Sequence, residues 1–261
     1  MNFGPLLFLG IFLVFASGWV GLVFMPTITL STVQATVQEG SSVANPRPYT
    51  GDEQLGRGVY QQDGCVYCHT QQVRGGRYNN DLLRGWGSRR SHPQDYIYDY
   101  PVLLGTMRTG PDLANIGARQ TIDNWHYTHA YDPQLITPGS VMAPFRFLFT
   151  TKEIGSVLSA GALRFNYVYV TIDGDAATVL PRLKDAGFNL VEKRGGRYVG
   201  GFDPAKAADL QKLPGVKAVD PYVPAGFEIL PSDEAKHLIA YLKSLDHSYE
   251  LPPASNYGRL K

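Results

Sequence analysis

The sequence predicts a mainly α-helical protein with long loops, in which an N-terminal transmembrane helix precedes a helical domain interrupted by a small α+β insert. Three observations predict this class. An uncharged apolar stretch runs from Leu6 to Met25. The chain contains 28 glycines and 18 prolines, which favour ordered loops. Residues 165–225 alternate between strand and helix patterns. The hydrophobic share of 44% is compatible with each, because it is enough for a folded core.

The stretch from Leu6 to Met25 is long enough to cross the hydrocarbon core of a bilayer as a helix. A cleaved secretory signal is the alternative. The first three residues carry no lysine or arginine, the apolar run is longer than that of a usual signal, and no A-x-A site follows closely. We therefore expect an uncleaved anchor over residues 1–30, followed by a linker over residues 31–50 that is poor in large apolar side chains.

The charge balance argues against a nucleic-acid partner. Lysine and arginine number 24, aspartate and glutamate number 23, and the net charge is +1. A nucleic-acid binder carries a basic patch or stripe, and none stands out here. No serine triad, acidic pair or phosphate-binding loop stands out in the sequence either.

Helix signals begin after the linker. Asp52 is the predicted N-cap of a first short helix that leads into the cysteine motif. Thr150 and Glu153 fit a capping box and predict a second short helix over residues 150–161. Ser232 caps the clearest amphipathic helix, whose first turn is acidic.

The segment between the last two helices has a different pattern. A strand at residues 167–172 is followed by a helix, two strands around Gly195-Gly196, a second helix and a last strand. This βαββαβ order is typical of a small ferredoxin-like unit, and the segment contains no cysteine or histidine. We therefore predict an insert over residues 165–225 in a domain made of residues 51–164 and 226–261.

Cys65 and Cys68 are the two cysteines of the chain, and His69 follows them directly. A disulfide leaves His69 unexplained, and a tetrahedral zinc site needs two further ligands. A thioredoxin-like dithiol is expected at the start of a helix in a βαβ unit, whereas this pair follows a helix. The C-x-x-C-H pattern is typical of covalent attachment of haem c, so we predict one haem with His69 as an axial ligand.

The other axial ligand is predicted from the methionines. Gly110 to Leu113 resembles the G-P-x-L phrase of class I cytochromes c, which implies that the carbonyl of Pro111 receives the other ring N–H of His69. That resemblance places Met107 on the wrong side, so we predict Met142, with a histidine or an open site as alternatives. Arg108 is a candidate for pairing with a haem propionate, although an ordinary solvated arginine fits equally well.

The remaining histidines have plainer interpretations. His126 and His129 are three residues apart and could grip a second metal, but packing beside aromatic rings or a hydrogen bond to a propionate is favoured. His92, His237 and His247 are expected at the surface or as capping residues.

Several phrases together resemble one family, subunit II of the cbb3-type cytochrome c oxidases, a membrane-anchored mono-haem cytochrome with a class I-like cytochrome c domain. The phrases are GRGVYQQDGCVYCHTQ, YIYDYPVLLGTMRTGPDLANIGAR, DNWHYTHAYDP, PGSVMAPF and LIAYLKSL. The resemblance covers residues 1–150 and 230–246. Two features depart from it: the methionine loop reads M-A-P-F where the family commonly has M-P-A-Y/F, and residues 165–225 have no counterpart.

The resemblance implies partners and a location. The haem, held by Cys65, Cys68, His69 and Met142, would relay electrons from a donor c-type cytochrome to the haem-copper catalytic subunit, which reduces oxygen to water among the other oxidase subunits. Haem attachment of this kind occurs outside the bacterial cytoplasmic membrane, so the N-terminus would lie inside and the haem domain in the periplasm. The alternatives are the mono-haem subunit of a nitric oxide reductase and a free-standing tethered electron shuttle or haem sensor.

Overall fold

The computed structural model describes residues 3–38, 40–77 and 79–251, and the chain divides into two compact units. The first unit consists of residues up to Tyr49, His69–Asn115 and the chain from Asp246 onward. The second consists of Thr50–Cys68 and Ile116–Leu245. Met1 and Asn2 of the predicted anchor and residues 252–261 of the predicted C-terminal tail lie outside the described residues.

The first unit begins with the predicted apolar helix. Helix α1 spans Gly4–Trp19, continues through a π-helical turn at Val20–Phe24, and ends in α2, Met25–Leu30. Within the described ranges, one helix is long and apolar enough to cross a membrane: Gly4–Leu30, with 27 residues and a mean hydropathy of 2.4. The hydroxyls of Thr27 and Thr29 donate to backbone carbonyls four residues earlier, at 2.7 and 2.8 Å, so these polar groups are satisfied inside the helix.

The rest of the first unit is mostly irregular. Among its described residues, the regular elements are an antiparallel pair, β1 (Thr36–Val37) and β2 (Ala44–Asn45), and a 3₁₀ turn at Pro93–Tyr96. With so few backbone ladders, side-chain hydrogen bonds hold much of the loop structure.

A buried carboxylate organises one part of these loops. Asp95 accepts hydrogen bonds from the Arg89 guanidinium at 2.9 and 2.7 Å and from the Tyr249 hydroxyl at 2.5 Å. Of the two alternatives expected for His247, surface or capping residue, the surface is wrong: its side chain is buried, and its ring meets that of Tyr96 edge-on at 5.4 Å. The sequence around His247 does not show that the chain after Asp246 is buried or that an aromatic ring lies beside this histidine.

The second unit contains most of the α-helices and strands of the described residues. Its helices are α3 (Gly51–Gln62), α4 (Cys65–Cys68), α5 (Ile116–Arg119), α6 (Asp123–Tyr131), α7 (Pro133–Ile136), α8 (Ala176–Asp185), α9 (Ala207–Gln211) and α10 (Asp233–Ser244). Its strands are β3 (Phe149–Glu153), β4 (Tyr167–Ile172), β5 (Asn189–Arg194), β6 (Arg197–Gly201), β7 (Val216–Pro221) and β8 (Phe227–Pro231). The body of the protein is therefore mixed α and β rather than mainly helical.

Helix α3 begins two residues earlier than predicted. Its N-cap is Thr50, not Asp52, because Glu53 lies at the third helical position and completes a capping box with Thr50. The Glu53 amide donates to the Thr50 hydroxyl at 3.4 Å, and the Thr50 amide donates to the Glu53 carboxylate at 2.7 Å. Ser232 caps α10 as predicted, accepting from the amide of Ala235 at 3.2 Å.

Helices α3 and α10 cross in close contact. A Cβ on Gly56 would lie 1.8 Å from the carbonyl oxygen of His237, so the backbones touch at a position where only glycine fits. Beside it, the rings of Tyr60 and Tyr241 are both fully buried and lie 5.4 Å apart. This crossing fixes the orientation of α3, and the cysteine motif follows the C-terminal end of that helix.

Residues 167–221 form a four-stranded antiparallel sheet with the predicted order of strands and helices. The strands lie in the order β5-β6-β4-β7. Helices α8 and α9 cover one face through an apolar cluster that includes Val168, Val170, Val179, Leu183, Phe188 and Leu210. Successive side chains of a strand point to opposite faces of the sheet, so the remaining side chains lie on the second face.

The second face of this sheet packs on segments that the sequence assigned to the cytochrome domain. Phe165, Val199 and Tyr222 form a buried cluster with Leu135 of α7 and Ile229 of β8. The sheet is thus covered on both faces. The division into an independent insert and a surrounding domain stays a prediction.

The helix predicted near Thr150 is wrong. Phe149–Glu153 is strand β3, which pairs antiparallel with β8, so that Phe149 lies opposite Pro231 and Thr151 opposite Ile229. Aromatic and β-branched residues suit a strand, and pairing with β8 outweighs the local capping-box pattern.

Candidate functional site

The cysteine motif follows a sharp turn at the end of α3. Gly64 has a φ of +75°, a conformation that glycine adopts without strain, and its amide donates to the carbonyl of Gln61 at 3.2 Å. The chain then enters the single turn α4, which contains Cys65 and Cys68. The motif therefore projects from the end of a helix whose direction the α3–α10 crossing fixes.

Both cysteines are free thiols, Cys65 half-buried and Cys68 exposed. Burial, reinforced by the nearby charge of Asp63, raises the pKa of Cys65 to about 12. A redox dithiol relies on a lowered thiol pKa, so this environment does not suit a thioredoxin-like pair. A disulfide is not formed either. Haem attachment through these two thiols stays a prediction.

His69 is oriented by a backbone carbonyl. Its Nδ1–H donates to the oxygen of Pro111 over 2.8 Å, so the lone pair of the neutral ring lies on Nε2. Burial lowers the pKa of His69 and outweighs the opposing effects of the Pro111 carbonyl and Asp112. A neutral imidazole held through its other nitrogen is the form that binds a metal. This is the contact that the resemblance to G-P-x-L implied.

Gly110 is a site residue that the sequence reasoning missed. A Cβ at this position would lie 2.2 Å from Cε1 and 2.7 Å from Nδ1 of His69. The backbone therefore lies directly against the imidazole ring, and no other residue leaves enough room. The signal was available in the glycine of the G-P-D-L phrase.

Asp112 is a second missed residue, and it fastens this loop to the chain after His69. Its fully buried carboxylate accepts hydrogen bonds from the Thr70 hydroxyl at 2.5 Å and from the Gln72 amide at 2.8 Å. The Leu113 amide also donates to the Thr70 carbonyl at 2.8 Å. These bonds hold Pro111 at a fixed place relative to His69.

Arg108 is held by protein groups. Its guanidinium forms an ion pair with Asp81, donates to the carbonyl of Gln72 at 2.7 Å and lies 5.2 Å from the centre of the Trp86 ring. These contacts fix the side chain at the start of the loop that carries Gly110 and Pro111. Its pairing with a propionate stays a prediction.

Met142 lies half-buried in the loop that follows α7. Its amide donates to the Ser140 hydroxyl at 3.2 Å, and the amide of Phe145 donates to the carbonyl of Ala130 in α6 at 2.8 Å. Met107, the other methionine considered, is 55% exposed. Met142 stays the predicted axial ligand.

The predicted site residues are divided between the two units. Cys65, Cys68 and Met142 belong to the second unit, and His69, Arg108 and Pro111 to the first. Within the first unit, His69 and Pro111 share a hydrogen bond.

His126 and His129 pack against an aromatic side chain. The ring of His129 stacks on Trp125 with centroids 4.8 Å apart, and His126 meets Trp125 edge-on at 5.2 Å. The Nε2–H of buried His126 donates to the carbonyl of Gln120 at 2.8 Å. Over residues 3–38, 40–77 and 79–251, no three His, Cys, Asp or Glu side chains are grouped so as to hold a metal.

A family model described as "Cytochrome C oxidase, mono-heme subunit/FixO" matches residues 3–248. The chain belongs to this family. The FixO match confirms the resemblance drawn from the sequence motifs and does not favour a nitric oxide reductase subunit. No curated protein sequence matches the chain.

Membership of the FixO family implies a haem and association with other subunits of a cytochrome c oxidase. The residues fit such a group: two free thiols at one turn, and an imidazole whose Nδ1–H is bound to a carbonyl. The apolar helix Gly4–Leu30 is consistent with a single-pass membrane anchor in a FixO protein.

Proposed function

We propose that this chain is the membrane-anchored mono-haem c-type cytochrome of a cbb3-type oxidase and that it relays electrons from a donor c-type cytochrome to the haem-copper catalytic subunit. One observation carries the proposal. In a FixO-family chain, the histidine that follows the cysteine pair is oriented through Nδ1 by the carbonyl of Pro111 at 2.8 Å.

Cys65 and Cys68 would hold the haem through thioether bonds, and His69 and Met142 would be its axial ligands. When bound, the haem supplies a one-electron iron couple. Histidine and methionine ligation raises the potential of such a couple and leaves no vacant position for a substrate, which suits electron transfer rather than catalysis by this chain.

The protein groups around His69 keep it in the required state. The Pro111 carbonyl selects the tautomer, Gly110 leaves room for the ring, and Asp112 fixes the loop that carries both. Arg108 would place its positive charge near a propionate while Asp81 and Gln72 hold its guanidinium.

The same proposal gives the chain an architecture and a location. The crossing of α3 and α10 supports a class I-like cytochrome c domain, and the sheet order β5-β6-β4-β7 supports a ferredoxin-like insert. The Gly4–Leu30 helix would cross the bacterial cytoplasmic membrane with its N-terminus inside, and the haem domain would lie in the periplasm.

The test is to isolate the protein from membranes in mild detergent and to identify the chains that come with it. An oxidase subunit should bring the haem-copper catalytic subunit, whereas a free-standing shuttle should emerge alone. The pigment should resist extraction with acidified acetone, and the paired Cys65→Ala and Cys68→Ala substitutions should remove that resistance. Substitution of Val66 by Ala, between the two cysteines, is the control. A colourless protein, or one that loses its pigment to acetone, would contradict the proposal.

A further inference from the structure

A buried carboxylate connects residues 165–225 to the segment that carries Met142. Asp132, between α6 and α7, accepts from Arg194 of β5 at 2.6 and 3.2 Å and from the Tyr222 hydroxyl at 2.6 Å. Arg146 completes the cluster at 2.8 Å. A buried charge that loses a partner is costly, so these bonds are a strong tie between the sheet and the chain around α7.

The ion pair of Asp132 with Arg146 also closes the base of the methionine loop. These two residues flank residues 133–145, and the amide of Phe145 is bound to Ala130 at 2.8 Å. The two ends of the loop are therefore held together. The position of Met142 within it then depends on contacts made by the middle of the loop.

A continuous path of hydrogen bonds supplies those contacts. The Nη2 of Arg194 donates to Oε1 of Gln134 at 3.2 Å, and Nε2 of Gln134 donates to the carbonyl of Ser140, also at 3.2 Å. The hydroxyl of Ser140 in turn accepts from the amide of Met142 at 3.2 Å. Arg194 thus binds Asp132 at the base of the loop and also Gln134, which bonds to the middle of the loop.

We propose that Arg194 is a positioning residue for Met142: through Asp132 and Gln134 it fixes the methionine loop, so that the inserted sheet controls how firmly the thioether stays bound to the haem iron. This inference rests on the proposed function, in which Met142 is an axial ligand. Residues behind a metal ligand hold it in place and tune the metal, and a ligand on an unsupported loop binds more weakly. The path also gives residues 165–225 a role in the chemistry of this chain.

The experiment uses the full-length, haem-loaded chain, made without the other oxidase subunits so that no other haem contributes. Arg194→Gln and Gln134→Met are compared with Arg182→Gln, which changes an exposed arginine on helix α8, the helix that packs on the same sheet. We expect the first two to lower the reduction potential and to speed carbon monoxide binding to the reduced haem by about tenfold, the factor that one hydrogen bond to a charged group is worth. Arg182→Gln should behave as wild type, and all three should keep covalent haem.

Gln134→Met leaves the three donors to Asp132 in place, so it tests the path even if Arg194→Gln fails to fold. Wild-type potential and carbon monoxide kinetics in Gln134→Met would overturn the inference. Met142→Ala separates this outcome from failure of the ligand assignment. If Met142→Ala changes both readouts while Gln134→Met changes neither, only the positioning role is wrong. If Met142→Ala changes neither, the ligand assignment and the positioning role fall together.

Discussion

Nδ1 of His69 donates to the carbonyl oxygen of Pro111, 42 positions later in the chain, over 2.8 Å. The bond fixes both the tautomer and the orientation of the ring, because a carbonyl can only accept. Gly110 lies against the same ring, so one short loop both positions the imidazole and limits its movement.

Replacement of Gly110 by alanine should displace His69. The new Cβ would lie 2.2 Å from Cε1 of the ring, so either the loop or the imidazole must move and the bond to Pro111 should weaken. We expect a loss of stability of about 1–3 kcal/mol, typical of overpacking, and an altered haem spectrum. Chemical denaturation and the absorption spectrum measure these effects. Gly76→Ala, where nothing lies within 4 Å of the new Cβ, is the control. Equal behaviour of the two variants would contradict the prediction.

Replacement of Met142 by alanine should lower the reduction potential sharply and open the iron to carbon monoxide. The reason is that a thioether ligand raises the potential of haem iron and occupies its sixth position. Redox titration and carbon monoxide difference spectra of the full-length chain provide the measurement. Met107→Ala, at an exposed methionine, should leave both unchanged. An unchanged potential in Met142→Ala would show that another residue is the ligand.

The crossing of α3 and α10 should tolerate no side chain at Gly56. The Cβ of alanine would lie 1.8 Å from the His237 carbonyl oxygen, and backbone at a helix crossing cannot yield as a flexible side chain can. We expect Gly56→Ala to cost about 3 kcal/mol of unfolding free energy. Gly58→Ala, on an open position of the same helix, should instead stabilise it by about 1 kcal/mol through helix propensity. Thermal unfolding of both variants decides the matter, and a stable Gly56→Ala protein would refute this account of the crossing.

The Asp132 cluster should make stability depend on pH in the acid range. Burial alone would raise the pKa of Asp132, but hydrogen bonds and ion pairing with Arg194, Tyr222 and Arg146 outweigh burial and lower it. A carboxylate whose pKa is lower in the folded state stabilises the fold above its unfolded pKa of about 4 and loses that contribution as the pH falls through the folded value.

Asp132→Asn should therefore be less stable than wild type at pH 7, and the difference should shrink below about pH 4. Denaturation measured across this range tests the prediction. Asp185→Asn, at the exposed end of α8, is the matched control and should follow the wild-type curve. A stability difference for Asp132→Asn that is independent of pH would contradict the assigned role of the charge.

Deletion of residues 165–225 should separate haem attachment from methionine ligation. Cys65, Cys68, His69 and Pro111 all lie outside the deleted segment, so covalent attachment should survive. Asp132 would lose Arg194 and Tyr222, and the apolar side chains of Leu135 and Ile229 would lose their cover. A haem stain of the denatured chain and the carbon monoxide reactivity of the folded protein report the two properties. Loss of covalent haem in this variant would refute the predicted domain division.

The sequence by itself determined the features that are encoded in neighbouring residues. Each of these features lies within a short segment: the C-x-x-C-H motif, the apolar stretch, the Ser232 cap and the alternation in residues 167–221. The sequence shows them because they depend on side-chain chemistry, hydropathy and local hydrogen bonds. The family membership followed from the motifs for the same reason.

Only the tertiary structure decided which distant residues meet. Thr150 and Glu153 have the local pattern of a capping box, yet their segment is a strand because it pairs with β8 far along the chain. The contact of Gly110 with His69 and the bonds from Arg194 to Asp132 likewise join residues that are widely separated in sequence. Such contacts depend on how whole elements pack, since burial and pairing energies outweigh local preference, and no short segment carries that information.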